Sequence, residues 1–129
     1  MQQLWSFEHP LDKTENFERY AECKFTIQQK AVLHGLAGYF ECQLYEGCKL
    51  STNPESHTPD MYSWYPMLFS FNEPLEAEQH NKLIVRVWRK CQSDRVWYEW
   101  QADLLDSLDS LLKSTKLHNE QGSKLSIMM

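Results

Sequence analysis

Tyr62, Ser63, Trp64 and Tyr65, closed by Pro66, form the strongest candidate for binding chemistry in this chain. Side chains of an extended segment alternate between faces, so this run sends rings to both sides and leaves some for solvent or a partner. An exposed indole can stack on a guanidinium, an interaction worth roughly 0.5–2 kcal/mol depending on desolvation. The residues alone leave two roles open for Trp64, a core ring or a recognition ring. Other candidates read as structural. Glu76 and Glu78, a Glu-x-Glu pair after Pro74, suit a solvated turn better than a catalytic dyad. Glu99, among Trp97, Tyr98 and Trp100, is expected to pair across a sheet with Arg86, Arg89 or Arg95. Gly35 and Gly38 sit in strand-like sequence and suggest close strand packing or a bulge, not a phosphate or cofactor cradle. His34 and His57 lack ligand spacing. Cys23, Cys42, Cys48 and Cys91 form no Cys-x-x-Cys pair, so neither a zinc site nor a disulfide scaffold is signalled. No catalytic, cofactor-binding or metal residue is assigned.

The elements that must position these residues follow a period of two. Ala21, Cys23, Phe25 and Ile27 alternate with Glu22, Lys24 and Thr26; Phe40, Cys42 and Leu44 alternate with Glu41, Gln43 and Tyr45. Leu83, Val85 and Val87 oppose Ile84, Arg86 and Trp88, and Val96, Tyr98 and Trp100 oppose Trp97 and Glu99. These are half-buried antiparallel strands. Turn signals separate them at Glu46-Gly47, Thr52-Asn53-Pro54, Thr58-Pro59-Asp60, Asn72-Glu73-Pro74 and Gln92-Ser93-Asp94. The last predicts a short hairpin connection. Within residues 102–113, Leu104, Leu105, Leu108, Leu111 and Leu112 take the spacing of an amphipathic helix, expected over 103–113. The sequence therefore predicts one mainly β domain over 1–129. It should be an antiparallel β-barrel or sandwich, incomplete on its N-terminal side, with one amphipathic helix near the C-terminus.

Composition fits that picture. An apolar fraction of 42% and an aromatic fraction of 13% are too rich in core material for a disordered chain of 129 residues. A net charge of -5 argues against direct nucleic-acid binding, which needs clustered Lys and Arg, and suits basic partners. The longest aliphatic run, Leu83-Ile84-Val85, is far too short to span a bilayer, so no membrane is expected. The start of the chain has no apolar signal-peptide region. Reduced thiols point to cytoplasm or nucleus.

Three stretches carry more than periodicity. The first is Phe7-Glu8-His9-Pro10 followed by Glu18-Arg19-Tyr20. The second is Val32-Leu33-His34-Gly35-Leu36-Ala37-Gly38-Tyr39-Phe40-Glu41 with Pro54-Glu55-Ser56-His57-Thr58-Pro59-Asp60-Met61-Tyr62-Ser63-Trp64-Tyr65-Pro66. The third is Val87-Trp88-Arg89 with Arg95-Val96-Trp97-Tyr98-Glu99-Trp100. In order and spacing over residues 5–101 they resemble the C-terminal β-barrel domain of type II (symmetric) protein arginine N-methyltransferases. The similarity fades at the leucine-rich segment and resumes at Leu117-His118-Asn119 and Gly122-Ser123.

The resemblance implies a role in S-adenosylmethionine-dependent symmetric dimethylation of protein arginine. A guanidinium is planar, charged and a poor nucleophile, so such an enzyme gains much of its rate by holding it in line with the methyl group. The family's cofactor domain and paired-glutamate loop are not in this sequence, nor is the first part of the barrel domain with its self-association segment. The chain alone is expected to be inactive and to bind no cofactor. In the family, the loop matching this aromatic run projects towards the catalytic pocket, and its Ser backbone and Trp ring contact the substrate arginine. Carried over, these are Ser63 and Trp64, flanked by Tyr62 and Tyr65. Asymmetric-type relatives have His where Ser63 stands, so Ser63 implies the symmetric class. The partners implied are the rest of the methyltransferase or a full-length copy, and an Arg-rich protein substrate. The alternative is a stand-alone, non-catalytic module that binds Arg-rich peptides or regulates a full-length methyltransferase. A helix covering a strand edge would favour that alternative.

Overall fold

The computed structural model describes residues 1–9 and 16–128; Pro10, which ends the first family-like motif, lies outside them. The described strands are β1 (Arg19–Thr26), β2 (Ala31–Gly38), β3 (Glu41–Tyr45), β4 (Cys48–Ser51), β5 (Met67–Ala77), β6 (Lys82–Cys91), β7 (Arg95–Leu105), β8 (Leu111–Ser114) and β9 (Ile127–Met128). They pair as β1-β6-β7-β8 with β9 also on β7, as β2 with β5, and as β3 with β4. The architecture is the mainly antiparallel β fold expected, built as open sheets; among the described residues no ring of strands closes into a barrel. The chain divides into two compact units, Met1–Leu33 with Phe71–Met129, and His34–Ser70.

In the first unit the period of two becomes burial. Cys23 on β1 faces Val85 on β6, which faces Ala102 on β7, and all three are buried. Leu83 and Leu104 make the next buried rung. The opposite face carries a polar line across four strands. Arg86 bonds Asp103 at 2.6 Å and lies 3.3 Å from Glu22, and Ser114 donates its hydroxyl to Asp103. Burial pushes the Asp103 carboxyl up, but the Ser114 and Arg86 hydrogen bonds and the guanidinium charge hold it below its usual range. The predicted hairpin connection is present: Gln92 N–H donates to the Arg95 carbonyl at 2.8 Å.

The predicted helix over 103–113 does not form. Ala102 and Leu104 continue the buried alternation of β7, and this register overrides the helical spacing. The chain then reverses at Asp106, whose Oδ1 accepts the N–H groups of Leu108 and Ser110, both at 2.8 Å. Asp109 takes a left-handed φ of 67° and β8 returns along β7. Leu108, Leu111 and Leu112 are left exposed. Asn72-Glu73-Pro74 is likewise not a turn but lies inside β5, with all three residues exposed. There the Asn72 N–H donates to His118 Nε2 at 3.3 Å.

His118 gives this unit a pH dependence. Its ring is buried, edge-on to Phe71 at 5.9 Å and to Trp100 at 5.5 Å. Burial lowers its pKa below the ordinary 6.5, assisted by the charge of Lys124 and opposed by backbone groups of Lys116 and Leu117. A protonated ring could not accept the Asn72 N–H. The unfolded chain therefore takes up this proton first, and stability falls as pH drops below 6.5 until the folded ring also protonates. Urea unfolding is expected to show a lower midpoint at about pH 5.5 than at about pH 7.5, with a smaller difference in His118→Gln. Equal differences in the two proteins would refute this role.

Candidate functional site

The aromatic run lies in the second unit, on the connection from β4 to β5. Its first half is a polar knot. Thr58 N–H donates to the Ser51 carbonyl at 3.0 Å, and Ser51 N–H donates to Thr58 Oγ1 at 2.9 Å. Asn53 N–H donates to Ser51 Oγ at 3.0 Å. From β3, Glu41 Oε1 accepts Asn53 Nδ2 at 2.9 Å and Ser56 Oγ at 2.8 Å. These two hydrogen bonds, Asn53 first, hold the Glu41 carboxyl below its usual range, with Lys49 adding to the effect. Ser51, Thr52 and Asn53 are buried, an arrangement that satisfied hydrogen bonds make tolerable.

Beyond the knot the chain turns through Asp60, at a left-handed φ of 58°, and Tyr62 donates its hydroxyl to Asp60 Oδ1 at 2.9 Å. Tyr62 is 82% exposed, Trp64 57% and Tyr65 74%; Ser63 is also exposed. Trp64 is thus not a core ring of this unit. The indole rests against Phe40, centroids 5.3 Å apart at 65°, with more than half its surface open. Pro66 ends the run and β5 begins at Met67.

The strand that follows is fixed by glycine. A Cβ at Gly35 would lie 2.4 Å from the Phe69 carbonyl oxygen, and one at Gly38 would lie 2.6 Å from the Phe69 ring. The close strand packing read from His34-Gly35-Leu36-Ala37-Gly38 is therefore present. Phe69 fills the space at both glycines. Glu76 is exposed within β5 rather than in a turn, and Glu78 just beyond the strand meets Lys30 at 2.5 Å in an exposed ion pair. The expectation that Glu99 pairs with an arginine is overturned. Its buried carboxylate accepts the Trp97 Nε1–H at 2.8 Å and the Gln121 N–H at 2.7 Å, while Arg86 turns to Asp103 and Glu22. Sequence reading missed Phe40, Thr52 and Glu41 as supports of the aromatic run. The density of Ser, Thr, Asn and Pro over 51–59 was a usable signal, because such residues bond local backbone in turns.

Residues 1–127 match the family described as the PRMT5 oligomerisation domain. The chain belongs to that family. Curated relatives agree. Protein arginine N-methyltransferase skb1 of Schizosaccharomyces pombe is 36% identical over 141 residues, covering 99% of this chain and 23% of its own length. Protein arginine N-methyltransferase 5 of Xenopus laevis is 40% identical over 97 residues, covering 74% and 15%. Its Caenorhabditis elegans counterpart is 32% identical over 126 residues, covering 98% and 17%. The chain thus spans less than a quarter of the length of these relatives.

Proposed function

We propose that this chain forms part of the substrate-arginine groove of a protein arginine methyltransferase of the symmetric class. Trp64 stacks on the guanidinium, the Ser63 backbone contacts it, and Tyr62 and Tyr65 flank the groove. The observation that carries the reading is a tryptophan 57% exposed between two exposed tyrosines, on a connection whose base is held by hydrogen bonds of the buried residues Ser51 and Asn53. S-adenosylmethionine, as methyl donor, binds outside this chain, and the chain alone transfers no methyl group. The oligomerisation named in the family description is carried to this chain as association with the remainder of such an enzyme or with a second copy. The expected compartment is cytoplasm or nucleus. The stand-alone module loses the feature that favoured it, because an exposed hairpin takes the place of the edge-covering helix.

The test is Trp64→Ala in the full-length methyltransferase that carries this domain. The guanidinium is charged before and during methyl transfer, so the ring binds both states similarly and its loss falls mainly on KM. The peptide KM is expected to rise about three- to thirtyfold, with S-adenosylmethionine affinity unchanged. An unchanged peptide KM would rule out the recognition role.

A further inference from the structure

We propose that Phe40 is a positioning residue that presets the Trp64 ring, and that Thr52 in turn fixes Phe40. The inference rests on the reading of Trp64 as the ring that meets the guanidinium. Residues 62–66 belong to no strand, so an indole there with no neighbour would sample several rotamers and lose that freedom on binding. A ring already held in one orientation binds with a smaller ordering cost. Phe40 supplies the hold through an edge-on contact, centroids 5.3 Å apart at 65°, in the range preferred by aromatic pairs.

Phe40 can act this way because its own backbone is clamped. It donates its N–H to Thr52 Oγ1 at 3.0 Å, and its carbonyl accepts the Thr52 N–H at 3.0 Å. Thr52 is 1% exposed and sits between Ser51 and Asn53, both held in the polar knot. A continuous path of contact runs from the hydrogen bonds around Ser51 and Asn53 through Thr52 and Phe40 to the Trp64 ring. Phe40 is itself only half-buried, so it serves as the support under an exposed ring rather than as a central core residue.

A double-mutant cycle in the full-length methyltransferase tests this, with an arginine-rich peptide as substrate and with Phe40→Leu, Trp64→Ala and their combination. Phe40→Leu is expected to raise the peptide KM about three- to tenfold with kcat little changed. Phe40→Tyr, which keeps an aromatic edge, should restore most of the loss. The combined variant should be no worse than Trp64→Ala alone. Thr52→Val, which keeps the shape and removes the hydroxyl bond, should raise KM in the same direction and stands in for Phe40→Leu should that protein fail to fold. A normal KM in Phe40→Leu and Thr52→Val beside a raised KM in Trp64→Ala would overturn the positioning role and leave the recognition reading intact. Equal losses from Phe40→Leu with and without Trp64 would show general structural support and overturn it too. No effect of Trp64→Ala would remove the recognition reading itself.

Discussion

Gly35→Ala is expected to lower the stability of the His34–Ser70 unit by about 2–5 kcal/mol, well beyond the median point mutation. The added methyl would meet the Phe69 carbonyl oxygen at 2.4 Å and the Ser70 Cα at 2.8 Å, both backbone atoms that no side-chain rotation can move aside. The backbone at Gly35 also has φ +154°, a conformation that residues with a Cβ rarely adopt. Overpacking and backbone strain each cost about 1–3 kcal/mol, and here they fall on one atom. Gly47→Ala is the matched control. That glycine too has a positive φ, +78°, but nothing lies within 4 Å of its added methyl, so about 1–2 kcal/mol is expected. Urea midpoints of the two variants separate contact from strain, and equal losses would mean that β5 does not press on β2. The functional consequence follows from chain order. The aromatic run ends one residue before β5, so loosening β5 loosens Trp64, and on the proposed groove role the peptide KM of a methyltransferase carrying this domain should rise with the loss of stability.

The parts legible in the sequence were those where one physical signal acted alone. β1 and the first half of β6 alternate cleanly, as β7 does from Trp100 to Leu104, and Gln92-Ser93-Asp94 lies between two strand-like runs, so these strands and the hairpin could be read. The faces of early β7 could not, because Val96 and Trp97 are both buried. β5 was hidden because Asn72-Glu73-Pro74 has turn composition, yet the chain stays extended through it. Proline is tolerable there because a strand position with no ladder bond to donate loses nothing by lacking an N–H. At the site, the aromatic run was visible as composition. Its supports were not, since Glu41 reaches Asn53 and Ser56 from twelve and fifteen residues away. The same limit hid the true partners of Glu99: an acidic residue among aromatics invites an arginine, but an indole N–H and a backbone N–H from residue 121 reach it instead.

The leucine-rich segment shows why spacing alone misled, and it yields the second large effect. Leu104, Leu108 and Leu111 would share one face of a helix, and truncating any of them would then cost a similar amount. In the hairpin they part company. Leu104 is 2% exposed on β7, facing Leu83, whereas Leu108 is 84% exposed in the turn and Leu111 is exposed on β8. Leu104→Ala is therefore expected to cost about 2–5 kcal/mol, combining lost burial with the cavity left behind. Leu108→Ala and Leu111→Ala should each stay within about 0.5 kcal/mol of the parent. Thermal or urea unfolding of the three variants decides between the arrangements. Comparable losses at all three positions would restore the helix, and with it the edge cover that a stand-alone module needs. A loss confined to Leu104 fixes the hairpin and leaves β8 as an open edge bearing exposed leucines, the kind of surface that a larger assembly covers.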